Sequence, residues 1–208
     1  MHLVLGGARS GKTGFAEEQA LAHAQLAGVP ATYVATAVIT DGEMQRRIEQ
    51  HRRSRSRRYQ TVERPRDLED WLESVDPGCH GVIVLDCLST YLGTVMYDAE
   101  STTDGNPVAG DHVGLHAEGE EREGSETSLR RQGAKLACAI AAYPHPVFVV
   151  SNEVGSGIIP AYPSARLFRD VLGAWNAEFA RVSEDVTLLV AGLPLALKRA
   201  GIVSGIGR

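Results

Sequence analysis

Three cysteines in 208 residues, Cys79, Cys87 and Cys138, are too few and too scattered for a disulfide framework. None stands in a C-x-x-C pair, so a zinc ribbon or finger is excluded as well. No apolar run reaches the length that crosses a bilayer, and no membrane partner is expected. Basic residues are not in excess. The formal charge is −5, which argues against general affinity for nucleic acid. There is no internal repeat and no linker-like stretch dividing the chain in two. An apolar strand begins at His2, which leaves no room for a secretion signal before it. With reduced cysteines, the expectation is one cytoplasmic α/β domain spanning residues 1–208.

What is present starts at the N-terminus. Leu3-Val4-Leu5 runs into Gly6-Gly7-Ala8-Arg9-Ser10-Gly11-Lys12-Thr13, the Gly-x-x-x-x-Gly-Lys-Thr pattern of a phosphate-binding loop. A loop that wraps a polyphosphate must aim several backbone N–H groups inward, and glycine tolerates that geometry. Lys12 is placed to reach the outer phosphates, and the Thr13 hydroxyl to hold Mg²⁺. The helix expected after it, with Ala16, Ala20, Ala24 and Ala27 at helical spacing, presents its positive N-terminus to the anion. Strands are expected at 31–36, 59–63, 82–86, 147–151 and 186–191, alternating with helices. That alternation predicts an α/β fold: a P-loop NTPase-like three-layer sandwich around a mainly parallel central sheet.

Val82-Ile83-Val84-Leu85-Asp86 is a buried strand ending in an acid, the Walker B pattern, and Asp86 is the second expected Mg²⁺ group. Asp41 is placed to cap a helix starting near Gly42. Met44, Ile48 and His51 fall on one face of it, among Arg46, Arg47, Arg52, Arg53, Arg55, Arg57 and Arg58. Charge alone reads this cluster as a solvated face or a contact for an anionic partner. Residues 98–126 are rich in glycine and acid and poor in large apolar side chains, and read as a mobile surface insertion. After the strand at 147–151, Asn152-Glu153-Val154-Gly155 begins a polar loop where open α/β sheets place ligands.

Taken together, the motifs resemble those of the bifunctional adenosylcobinamide kinase/adenosylcobinamide-phosphate guanylyltransferase family. The resemblance is carried by Gly6 to Thr13, by Tyr33-Val34-Ala35-Thr36-Ala37 and by Arg47 to Arg52 continuing to Thr61-Val62-Glu63. It extends through Leu85-Asp86-Cys87-Leu88, then Ser151 to Gly155 with Gly157 to Pro160, and Ala191-Gly192-Leu193-Pro194. Arg55-Ser56 and Tyr59 depart from that family's usual Arg-Pro and Trp.

The resemblance implies two reactions of cobalamin biosynthesis. ATP or GTP phosphorylates adenosylcobinamide, and GTP then donates GMP to give adenosylcobinamide-GDP through an adduct on His51. It assigns nucleotide contacts to Gly6 through Thr13, Ala35, Thr36, Ala37, Arg52, Arg55, Glu63 and Asp86, with Lys12 and His51 catalytic. Asn152 and Glu153 fall at the active-site edge. It implies a homo-oligomer, with trimers among its members. The competing readings are a P-loop ATPase working with nucleic acid and a non-catalytic nucleotide-binding regulator. Covalent labelling by GTP separates the first reading from both.

Overall fold

The computed structural model describes residues 1–38, 42, 46, 58–103, 120–200 and 202–203, with only the backbone of 100–103, 120–123 and 202–203. The elements run β1 (His2–Gly6), α1 (Lys12–Ala27), β2 (Ala31–Ala35), β3 (Tyr59–Glu63), α2 (Leu68–Ser74), α3 (Pro77–His80) and β4 (Val82–Asp86). They continue with α4 (Leu88–Thr103), α5 (Glu120–Ala142), β5 (Val147–Asn152), α6 (Pro163–Val182), β6 (Asp185–Val190), β7 (Leu193–Arg199) and β8 (Ile202–Val203). Met44, Ile48 and His51 of the expected helix lie outside the described residues.

The strands form one sheet in the order β3-β2-β4-β5-β1-β6-β7-β8. From β3 to β6 every pairing is parallel, and β6, β7 and β8 pair antiparallel. The inner strands β1, β2, β4 and β5 are buried along nearly their whole length because both faces are covered, as parallel sheets require. Successive residues point to opposite sides. Leu3, Leu5, Ile83, Leu85, Val147 and Val149 join a core with α2, α4, α5 and α6. Val4, Val82, Val84, Phe148 and Val150 face the other way, onto Ala16, Ala20 and Ala24 of α1. The small alanines let α1 lie close to the strands, and the phosphate loop at its head is thereby fixed to the sheet. This is the three-layer α/β sandwich of a P-loop NTPase-like fold.

Two features differ from the sequence expectation. Residues 193–199 form a further strand beyond 186–191, the last one expected. Ala191 and Gly192 both have positive φ, the signature of a two-residue type I′ turn that folds β7 back on β6. Pro194 obscures this strand in the sequence. It is tolerated because β8 pairs only with Lys198 and Arg199, so Pro194 faces no second ladder. In the 98–126 stretch, 98–103 complete α4 and 120–126 begin α5, while 104–119 lie outside the described residues.

Candidate active site

The parallel register brings Gly6, Ala35, Glu63, Asp86 and Asn152, five of the expected residues, to one edge of the sheet. Ala35 lies opposite both Glu63 and Asp86, and Gly6 lies opposite Asn152. All stand at the C-terminal ends of parallel strands, where crossover connections leave room for a ligand. Neighbouring strands are about 4.8 Å apart, so Glu63, four strands from Gly6, stands roughly 19 Å along the edge from it.

The phosphate loop is held from below and open above. Gly7, Ala8, Arg9 and Gly11 are exposed, while Ser10 is buried beneath them. Gly6 must be glycine for packing: a Cβ there would lie 2.3 Å from Ser10 Oγ and 2.9 Å from the Leu189 carbonyl oxygen. Gly11 must be glycine for conformation, with φ of 92°. The Ser10 hydroxyl has no protein partner. Gly192 N–H donates to the Ser10 carbonyl at 3.0 Å, so the β6–β7 turn clamps the loop from outside. Lys12 Nζ donates to the Gly7 carbonyl at 3.0 Å and lies folded across the loop. The first turn of α1 contains no acid and no side chain caps it, an arrangement compatible with an anion at the helix N-terminus.

Asp86 meets this loop across the sheet. Its Oδ2 accepts from Thr13 Oγ1 at 3.1 Å and from the Tyr33 hydroxyl at 2.5 Å. Tyr33 is buried and stacks edge-on against Tyr59, whose own hydroxyl donates to the Glu17 carbonyl at 2.6 Å. With Oδ2 engaged twice, the carboxylate is fixed in rotation. A hydroxyl and a carboxylate from neighbouring elements make an all-oxygen donor set, the chemistry Mg²⁺ selects. Among the described residues there is no group of three or more His, Cys, Asp or Glu suited to a metal, so the fit is to an ion that takes its remaining ligands from phosphate and water.

Thr36 follows β2 and is fully buried. Its hydroxyl donates to the Cys87 carbonyl at 2.8 Å, accepts from Cys87 N–H at 2.8 Å and lies 2.6 Å from Thr90 Oγ1. It thus ties the ends of β2 and β4 together beneath the edge. Burial pushes the Cys87 thiol up, and Asp86 beside it adds to the rise, so Cys87 stays protonated at neutral pH. Asn152 Nδ2 donates to Ser89 Oγ at 2.6 Å, while Asn176 Nδ2 donates to the Asn152 carbonyl at 3.0 Å. Glu153 N–H donates to the Gly6 carbonyl at 3.1 Å, which puts the start of the β5–α6 loop against the phosphate loop. Ala37 is half-buried and Glu63 exposed. His51, Arg52 and Arg55 lie outside the described residues.

Sequence reasoning gave no role to Tyr33, Ser89, Thr90 or Asn176. Tyr33 carried a usable signal: a tyrosine amid a buried strand needs a partner for its hydroxyl. The others are short polar residues with no pattern to mark them.

Comparison with known proteins bears on the chemistry. Residues 2–197 match the family described as cobinamide kinase / cobinamide phosphate guanyltransferase. The bifunctional adenosylcobalamin biosynthesis protein CobU of Escherichia coli (strain K12) is 33% identical over 198 residues, which is 95% of this chain and 99% of that protein. The protein of the same name from Salmonella typhimurium is 33% identical over 199 residues, again 95% and 99% of the two chains. CobP of Pseudomonas aeruginosa, also described as a bifunctional adenosylcobalamin biosynthesis protein, is 34% identical over 197 residues, covering 94% of this chain and 96% of its own.

Proposed function

The chain belongs to the cobinamide kinase / cobinamide phosphate guanyltransferase family, and we propose from that premise that one sheet edge serves both of its reactions. The protein phosphorylates adenosylcobinamide with a nucleoside triphosphate. It then transfers GMP from GTP to that phosphate, giving adenosylcobinamide-GDP on the route to cobalamin.

The observation that carries the shared edge is the hydrogen bond from Thr13 to Asp86, which joins the phosphate loop to the end of β4. In the kinase step the backbone N–H groups from Gly7 to Thr13 and the Lys12 ammonium hold the triphosphate. Thr13 and Asp86 would hold Mg²⁺, which neutralises phosphate charge when bound. The substrate hydroxyl attacks the γ-phosphorus, the bond to the bridging oxygen breaks, and the nucleoside diphosphate leaves. Asp86 is too firmly engaged by Thr13 and Tyr33 to be a mobile base, so it orients rather than shuttles.

In the second step a ring nitrogen of His51 attacks the α-phosphorus of GTP and pyrophosphate departs. The phosphate oxygen of adenosylcobinamide phosphate then attacks the same phosphorus and releases the imidazole. The attacking imidazole must be unprotonated, and the cluster from Arg46 to Arg58 disfavours its charged form. Arg52 and Arg55 bind the triphosphate, and Glu63 accepts from the guanine edge. Asn152 and Glu153 border the acceptor. Labelled GTP should give an acid-labile, alkali-stable adduct, and His51→Ala should abolish it while sparing phosphorylation of cobinamide. Normal labelling of that variant would remove His51 as nucleophile.

The protein acts in the cytoplasm, in keeping with its three free cysteines, and as one catalytic domain carrying an acidic insertion. Among the described residues no helix is long and apolar enough to cross a membrane. It assembles with copies of itself, as a trimer. Leu193, Leu195 and Leu197, every second residue of β7, are exposed beside Val190, an apolar strip suited to a subunit contact. Light scattering of Leu195→Glu should report a smaller particle than the unaltered protein.

A further inference from the structure

Residues 153–162 connect β5 to α6, and the loop breaks the usual composition of a solvent-facing segment. Ile158 is 97% exposed, Ile159 70% and Tyr162 72%. Single exposed apolar residues are ordinary, but three within five positions beside an active site are not. The segment is held at both ends. Glu153 N–H donates to the Gly6 carbonyl, and Glu153 Oε1 accepts from Gly155 N–H at 2.7 Å. At the other end Arg166 Nη1 donates to the Pro160 and Ala161 carbonyls at 3.0 and 2.6 Å. The apolar side chains are therefore presented on a braced loop and contribute nothing to either core.

Position names the occupant. The strand order is β4-β5-β1, so the contact from Thr13 to Asp86 passes over the end of β5. The terminal phosphate of a nucleotide seated in the phosphate loop lies over that same strand end. An acceptor hydroxyl must come within bonding distance of the terminal phosphorus, and the body of the acceptor then lies on whatever surface adjoins β5. Among the described residues that surface includes the 153–162 loop, which continues directly from β5. The phosphate loop and the end of β4 offer N–H groups, Arg9, Lys12, Thr13 and Asp86, all polar or charged and none suited to a broad apolar ring.

We propose that Ile158, Ile159 and Tyr162 form the landing surface for the corrin ring of cobinamide, holding it while its tail hydroxyl reaches the phosphate. The proposal rests on the family activity stated above. A corrin presents methyl-studded faces and amide-bearing edges, which matches apolar side chains on a loop rich in backbone N–H and C=O groups. The same ring is carried by the substrates of both reactions, so one surface serves each.

The test compares the unaltered protein with the double variant Ile158→Ser/Ile159→Ser and with Tyr162→Ser. Corrin absorbance titrations without nucleotide give the Kd for cobinamide and for cobinamide phosphate. A fluorescent GTP analogue gives the nucleotide Kd. For the double variant, both corrinoid Kd values and the kinase KM should rise about tenfold or more, with nucleotide affinity within about twofold of the original. Tyr162→Ser should shift the same quantities in the same direction by less. An unchanged corrinoid Kd, in a protein that phosphorylates cobinamide normally, would overturn the proposal and leave the activity standing. An unchanged corrinoid Kd with a smaller particle by light scattering would assign the loop to a subunit contact instead. If the unaltered protein phosphorylates cobinamide with neither ATP nor GTP, the activity itself fails, and the landing surface with it.

Discussion

Two loops leave neighbouring strands at the same sheet edge and are built in opposite ways. The loop after β1 exposes glycines and backbone N–H groups over a buried serine, and strand β1, helix α1 and the β6–β7 turn all grip it. The loop after β5 exposes isoleucines and a tyrosine, and is gripped only at its ends. In the proposed function the first replaces the water around an anion, which demands dipoles fixed in advance. The second leaves apolar area unburied, which is stable against a partner and costly without one. The difference is one of construction: polar groups and glycines are exposed after β1, and large apolar side chains after β5, which is the division of labour proposed above.

The comparison is broken most forcefully at Lys12. Lys12→Met removes the only side-chain cation of the loop's Gly-Lys-Thr end, and kcat/KM for nucleotide should fall by about 10²–10³-fold in the kinase assay. Cobinamide affinity should be unaffected. A parallel loss of both affinities would mean that the two loops are not separate in function.

Next comes Gly6, which touches both loops through Ser10 and through its carbonyl bond from Glu153. Gly6→Ala forces a methyl into the Ser10 hydroxyl and the Leu189 carbonyl, at a cost of about 1–3 kcal/mol. The melting temperature should drop, and both nucleotide and cobinamide affinity should weaken. A variant as stable as the original would show that the floor beneath the two loops can yield.

Tyr33→Phe is milder. It removes one of the two donors to Asp86 Oδ2 and leaves Thr13. Stability should fall by about 1 kcal/mol, read from urea unfolding. The freed carboxylate should weaken nucleotide binding more in the presence of Mg²⁺ than in its absence. Equal weakening under both conditions would confine Tyr33 to packing.

The smallest effect is expected at His2, at the opposite end of β1. Burial holds its pKa below 6.5, reinforced by His23 and the N-terminal amine and opposed by Asp185. The unfolded imidazole binds its proton more tightly, so this contribution is present above about pH 6.5 and is lost as pH falls below it. His2→Gln should flatten the decline in stability on that acid side without touching nucleotide affinity at neutral pH. An unaltered decline would place the acid response elsewhere.

Much of this was readable because it is local. The strands announce themselves as short apolar runs, and burial of both faces is what makes them so. The phosphate loop is legible because its dihedrals and close packing accept few residues, so glycines at fixed offsets record its shape. The acid ending β4 was legible as a type of residue, and Gly192-Leu193-Pro194 as part of a family motif, although not as a turn into another strand.

The sequence by itself determined the layered α/β class, the phosphate loop and the reactions its motifs imply. Only the tertiary structure decided what those residues touch. Thr13 and Asp86 are 73 positions apart, and Tyr33 and Asp86 are 53, yet each pair is hydrogen-bonded. Strand order places the end of β5 between β4 and β1, and that order sets the start of the 153–162 loop beside the Gly6–Thr13 loop. The physical reason is that a chain encodes its local dihedral and burial preferences residue by residue. Which distant carboxylate meets which hydroxyl follows from how whole strands pair, and that is settled only when the sheet closes around both cores.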